Sequence, residues 1–190
     1  MEIDHPHSKN DRRRTPKALF DALNKEFQFD IDLAADESNH LCDLWLGPGS
    51  PLHDDALAVG WSSIQYMWNY GRRVAPYGPG SPIVQQATCG WLNPPYSRGN
   101  LERFMNKCVH EASKGFTTVT ITPYMPSEGW FKILHQASEI REIPHRVGFL
   151  LANGTKDNSA KFPSAITVFR PQPGIVRGDP RRVVWIYREG

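Results

Sequence analysis

Residues 91–121 read WLNPPYSRGNLERFMNKCVHEASKGFTTVTI, and this stretch decides the fold. Trp91 and Leu92 end a short apolar run. Pro94 and Pro95 stop it, because neither can donate to a strand ladder. Leu101 to Ser113 then carries apolar residues at helical spacing and is closed by Gly115. Phe116 to Ile121 is a β-branched run suited to a buried strand. The order is strand, tight loop, helix, strand, which points to an α/β sheet with ligand sites at the carboxyl ends of its strands.

The flanking sequence repeats the pattern. Ala18, Leu19, Ala22 and Leu23 predict a helix over Thr15 to Phe27, with Thr15 as N-cap and Pro16 in the first turn. Phe29, Ile31 and Leu33 alternate with Asp30 and Asp32, so a strand runs into Ala34, Ala35 and Asp36 with an acidic residue where it ends. Asn39 to Trp45 fits either element, and Gly47 to Pro51 is a turn-rich break. Ser62 to Gly90 lacks sustained periodicity and reads as an irregular insertion. After the loop Thr122 to Ser127, a helix is expected over Glu128 to Ala137. Strands are expected over Ile140 to Leu151, Ser164 to Phe169 and Val183 to Tyr187. The expectation is a polar tail over 1–14, then a single domain over 15–190 with a mostly parallel sheet and helices on both faces.

Composition narrows the partners. A chain of 190 residues buries an adequate core without disulfides or a metal. The three cysteines, Cys42, Cys89 and Cys108, lack CxxC spacing, and the seven histidines form no ligand pattern, so no metal is expected. No apolar run approaches the roughly 20 residues that cross a bilayer. Met1 to Arg14 carries no apolar signal region, and a cytoplasmic protein is the expectation. A phosphate loop of the GxxxxGK type is missing, which removes nucleotide triphosphate hydrolysis. The net charge of +2 says little, but basic residues gather at Arg12 to Arg14, at Arg72 and Arg73, and at Arg177, Arg181 and Arg182, where each group can face phosphates or solvent.

The chemistry lies in Asn93-Pro94-Pro95-Tyr96. Two prolines after a strand make a rigid turn that presents a side-chain amide, a backbone carbonyl and an aromatic face. An aromatic exocyclic amine is a poor nucleophile, because its lone pair is delocalised into the ring. Two acceptors aimed at its hydrogens, the Asn93 oxygen and the Pro94 carbonyl, favour the pyramidal form whose lone pair is free to attack, while Tyr96 stacks on the ring.

With its surroundings, this tetrapeptide resembles the phage-type, Dam-like DNA N6-adenine methyltransferase family. The resemblance takes in Thr15-Pro16-Lys17-Ala18-Leu19-Phe20, Phe29 through Ala35, Asn39, Asp55-Ala56-Leu57 before Trp61, Trp91 through Ser97, Pro123, Trp130 and Arg146 through Phe149. It implies a class I S-adenosylmethionine-dependent fold, a flipped adenine and direct transfer to N6. Asn93, Pro94, Pro95 and Tyr96 would form the catalytic loop. Thr15, Asp32, Ala34 and Asp55 would meet the cofactor, with Asp54 able to replace Asp55. Ala34 and Ala35 stand where many methyltransferases have glycines. Related loops also serve enzymes that methylate RNA adenines or a protein glutamine amide, and a DNA-binding module that has lost its chemistry is a further alternative. A phage or prophage role, such as masking restriction sites, is what the resemblance suggests.

Double-stranded DNA is the expected partner, without membrane or metal. A base must leave the stack before its edge can be alkylated. The insertion at 62–90 is the candidate target-recognition segment. Arg72 and Arg73 would reach guanine edges or phosphates, and Tyr66, Trp68, Tyr70 and Tyr77 are stacking or wedge candidates. Ser97 either caps the following helix or touches a phosphate, and Pro123 lines the base pocket.

Overall fold

The computed structural model describes residues 13–69, 71–74, 85–97, 99–157, 162–171 and 180–185. In chain order the elements are α1 (Lys17–Phe27), β1 (Ile31–Asp32), β2 (Leu44–Trp45), a 3-10 turn (Trp61–Ser63), β3 (Gln65–Asn69), β4 (Arg72–Val74) and β5 (Gln85–Gln86). They continue with β6 (Cys89–Leu92), α2 (Asn100–Ser113), β7 (Thr117–Pro123), a 3-10 helix (Gly129–Gln136), β8 (Glu139–Glu142), β9 (Ser164–Phe169) and β10 (Arg181–Val184).

Seven strands form one sheet in the order β10-β8-β9-β7-β6-β1-β2. β9 runs against β7 and β8, and the remaining pairs are parallel. Strand periodicity splits the core in two. Trp91, Val119, Ile121, Ile166 and Val168 pack with Leu19, Phe20 and Leu23 of α1. Leu92, Ala165 and Phe169 join Phe104, Met105 and Cys108 of α2 and Phe131 and Leu134 of the 3-10 helix. Helices therefore cover both faces, and β6 is buried at every position, as a central parallel strand requires.

Several expectations are corrected. Pro16, not Thr15, holds the N-cap position of α1, in an extended conformation and without a side-chain cap bond. Its carbonyl accepts the N–H groups of Leu19 and Phe20. The segment 129–136 winds as a 3-10 helix because its buried anchors, Phe131 and Leu134, are three residues apart, and a three-residue turn sets both on one face. β8 ends at Glu142 where a strand to Leu151 was expected, since Pro144 has no N–H to continue the ladder.

The stretch 62–90 is not irregular among its described residues. β3 and β4 form an antiparallel hairpin, β5 pairs with the other edge of β3, and Gly90 already belongs to β6. Asp30 fastens this small sheet to the core. Its carboxylate accepts the Tyr66 hydroxyl at 3.0 Å and the backbone N–H groups of Thr88 at 2.8 Å and Cys89 at 3.1 Å. Residues 1–12 of the expected tail lie outside the described residues, whereas Arg13 and Arg14 are part of the fold.

Candidate active site

β6 delivers Asn93 to Ser97 to the carboxyl end of the central strands, beside the ends of β1 and β7. The Asn93 amide is oriented. Its Nδ2 donates to the backbone carbonyl of Arg13 at 3.0 Å, so Oδ1 is the atom left to accept. Pro94 is buried and Pro95 half-buried. The Tyr96 hydroxyl donates to the Ile121 carbonyl at 3.3 Å, and its ring meets Phe149 edge-on at 6.4 Å. Burial pushes the Tyr96 phenol up, which keeps it neutral. A cavity of about 490 Å³ opens here, lined by Tyr96, Ser97, Pro123, Trp130, Phe149 and Phe162 among others. The loop contributes Tyr96 and Ser97 to that lining, and Asn93 stands outside it. Tyr96, Trp130, Phe149 and Phe162 give the cavity aromatic walls suited to a flat ring, with Arg13, Glu102 and Glu128 also in its lining.

Asp32 lies two positions beyond Asp30 but at the opposite end of β1. It is buried, pairs in register with Trp91 and Trp45, and accepts the N–H groups of Leu41 at 3.1 Å and Ala34 at 3.4 Å. Burial is the larger influence and pushes its carboxyl up to about 6 against those two bonds. Thr15 is buried and has no side-chain hydrogen bond among the described residues. The segment Arg13 to Thr15 touches two loops at once, since Arg14 donates to the Ser38 hydroxyl at 2.9 Å after β1 and Arg13 receives Asn93 after β6. Thr15, Ala34 and Asp32 are thus brought to one end of the sheet together with the proline loop Asn93 to Tyr96.

Gly47 packs against the Ala35 carbonyl with φ of 133°, and a Cβ there would collide with that oxygen, so the loops after β1 and β2 meet closely at this point.

Asp54 and Asp55 sit on the exposed turn before Ala56. Asp55 Oδ1 accepts the Leu57 N–H at 2.8 Å, closing an Asx turn, while Asp54 has no hydrogen bond among the described residues. The Trp61 indole donates to the Ala56 carbonyl at 2.8 Å and fixes this turn on the core. Glu111 of α2, fully buried, accepts Ser62 and pairs with Lys107 at 2.9 Å, which anchors the turn's far end.

The two candidate arginines are not equivalent. The Arg72 side chain is 71 % exposed and pairs with Asp43 at 3.2 Å. That of Arg73 is 19 % exposed, pairs with Asp30 at 3.2 Å and lies over the Tyr66 ring. Arg73 and Tyr66 together hold the hairpin to the sheet, so Tyr66 has no free face for a base. Tyr70, Tyr77 and the side chain of Trp68 lie outside the described residues. Ser97 is not the N-cap of α2. Gly99 takes the N-cap of α2, and Ser97 Oγ accepts the Asn100 amide at 2.7 Å.

Sequence reasoning passed over Arg13, Asp157 and Gly47 as site components. Asn93 and Arg13 are 80 positions apart and Arg13 and Asp157 are 144 apart, so no local periodicity links them. Among the described residues no helix is long and apolar enough to cross a membrane, no cluster of metal-ligating side chains occurs, and the three cysteines are buried and unpaired.

Taken together, these elements define an α/β protein with an amide-bearing proline loop over the carboxyl ends of its central strands, the kind of site that an amino-group methyltransferase uses. The family model for DNA N-6-adenine-methyltransferase (Dam) matches residues 3–89 and 83–177, and the chain belongs to that family. Its activity is accordingly methylation of adenine in DNA at N6. No curated protein matches the chain.

Proposed function

We propose that the protein transfers the methyl group of S-adenosylmethionine to N6 of an adenine turned out of duplex DNA, on a class I methyltransferase fold. The observation that carries this reading is the fixed Asn93 amide, whose Oδ1 remains as acceptor beside an aromatic cavity. When bound, S-adenosylmethionine supplies an electrophilic methyl on a sulfonium leaving centre.

The residues at the end of β1 fit that cofactor's charged end. Asp32 is a buried carboxylate suited to an ammonium group, and Thr15 offers a hydroxyl with no hydrogen bond among the described residues. Asp54 supplies an exposed carboxylate suited to the amine of an adenine ring or to ribose hydroxyls, and the engagement of Asp55 with Leu57 favours Asp54 for that contact.

At the target, Asn93 Oδ1 and the Pro94 carbonyl accept the two hydrogens of N6 and free its lone pair for in-line attack. S-adenosylmethionine held at the end of β1 would supply the methyl to that lone pair and would keep the electron pair of the broken S–C bond on its sulfur. The surplus proton on the methylated N6 passes to solvent water, since the two amide carbonyls orient the amine but are too weakly basic to keep it. Tyr96 replaces the stacking lost when the base leaves the duplex. Arg72 is the exposed cation of the hairpin and is assigned to DNA phosphate; a role of the hairpin in target recognition rests on its position between the cofactor-side turn and the catalytic loop.

Transfer of labelled methyl from S-adenosylmethionine to unmethylated duplex DNA, followed by digestion to nucleosides, tests the proposal. N6-methyladenine from wild type and none from Asn93→Ala is the expected result. Label in RNA or protein in place of DNA overturns it.

A further inference from the structure

We infer that Arg13 and Asp157 form a clamp that sets the orientation of the Asn93 amide, and that both are positioning residues for methyl transfer. This rests on the assignment of Asn93 as the acceptor for N6.

An asparagine amide is nearly symmetric in shape, and the wrong rotamer would aim an NH₂ at the substrate's own NH₂. The right rotamer therefore needs an acceptor on the nitrogen side. Arg13 supplies it through its backbone carbonyl, 3.0 Å from Nδ2. A backbone carbonyl near the start of the fold holds its place only if its own segment is fixed. Arg13 Nε donates to Asp157 Oδ2 at 2.6 Å, with the two side chains 14 % and 9 % exposed. Arg14 and Leu150 exchange backbone bonds of 2.8 and 2.9 Å, and the Asp157 N–H bonds the Phe149 carbonyl at 2.6 Å. Three segments, at 13–14, 149–150 and 156–157, are thereby tied into one support.

The same support reaches the other end of the catalytic loop. Phe149 lies between its bonded neighbours and sets its ring against Tyr96, and Arg13 also lines the cavity. One assembly from segments 13–14 and 149–157 thus holds the amide that polarises the amine and the ring that stacks on the base. A charge pair enclosed this far is held against solvent screening, which suits a part whose function is to fix a position.

Kinetics of Asp157→Ala, Arg13→Ala, the double variant and Asp157→Glu test the clamp. A misplacement of the amide by about an ångström lowers kcat on the order of 10- to 100-fold. That loss is expected in each alanine variant, with the S-adenosylmethionine dissociation constant within about twofold of wild type. The double variant should be no worse than either single one, because the two side chains act as a unit, and Asp157→Glu should recover most of the rate. Should Asp157→Ala fail to fold, Asp157→Asn, which keeps an acceptor for Nε, is expected to show an intermediate kcat. Wild-type kcat in that variant or in Asp157→Ala, additive losses in the double variant, or a loss confined to cofactor binding overturns the inference while leaving the assigned reaction intact. A wild-type protein that transfers no methyl to adenine overturns the assigned reaction and the clamp together.

Discussion

Asn93 Nδ2 lies 3.0 Å from the carbonyl oxygen of Arg13, a residue 80 positions away in the chain. That bond engages the nitrogen end of the amide within the protein and leaves its oxygen as the acceptor. It gives the proline loop a defined polarity, with the donor turned back into the protein and the acceptor turned outward.

Asn93→Asp isolates this bond. The variant keeps an acceptor but sets a carboxylate oxygen against the Arg13 carbonyl. Protonation restores a donor, so its carboxyl should titrate above the ordinary aspartate range. Activity should fall below wild type at pH 8 and recover relative to wild type as pH is lowered through that raised value. A pH–rate profile parallel to that of wild type would show that the donor does not matter.

Tyr96 separates a ring from a hydroxyl. Tyr96→Phe gives up a 3.3 Å contact to the Ile121 carbonyl, longer than the usual O–H···O range, and should keep kcat and KM near wild type. Tyr96→Ala gives up the stacking face, and its KM for DNA should rise roughly 5- to 150-fold, since base stacking on an aromatic contributes about 1–3 kcal/mol. Equal effects of both substitutions would place the function in the hydroxyl.

Asp32, proposed above to meet the cofactor, should make stability and cofactor binding depend on pH. Its folded-state value of about 6 exceeds the ordinary 3.8, so the folded protein holds this proton more tightly than the unfolded chain. Asp32 therefore lowers stability as pH rises from about 4 to about 6, and above that the cost is complete, on the order of 3 kcal/mol. The melting temperature of Asp32→Asn relative to wild type should be more favourable at pH 8 than at pH 4, and its S-adenosylmethionine affinity should be weaker at pH 8. In wild type, that affinity should decline as pH falls through about 6, where the carboxylate is lost. Calorimetric titration at several pH values reads the binding directly.

Arg72 and Arg73 should behave differently despite being adjacent. Arg73→Ala leaves the buried Asp30 without its cation but with its N–H and hydroxyl donors, and should destabilise by about 1–3 kcal/mol. Arg72→Ala should change stability by less than about 0.5 kcal/mol, because its pair with Asp43 is exposed. If Arg72 meets a phosphate, its removal lowers the slope of log affinity against log salt by about one. Chemical denaturation and DNA binding across a salt series separate the two.

The sequence by itself determined the βαβ unit at 91–121, the proline loop and the family to which the chain belongs. Those signals are local, because prolines end strands, apolar spacing sets helix and strand periods, and the tetrapeptide carries its chemistry within four positions. It also brought Asp30 and Asp32 to one strand, but not their separate fates. Asp30 became the fastening point of the β3–β5 sheet at one end of β1, and Asp32 a buried carboxylate at the other, because neighbouring strands and loops brought different N–H groups to each. The hairpin within 62–90 escaped the periodicity argument since its strands are short and its aromatic residues are spread among glycines and prolines. The rotamer of Asn93, the inward turn of Arg73 and the contact of Gly47 with Ala35 were decided only by tertiary structure. Each depends on a partner brought close by strand order and loop packing, and a hydrogen bond or an ion pair acts over a few ångströms of space, whatever the distance along the chain.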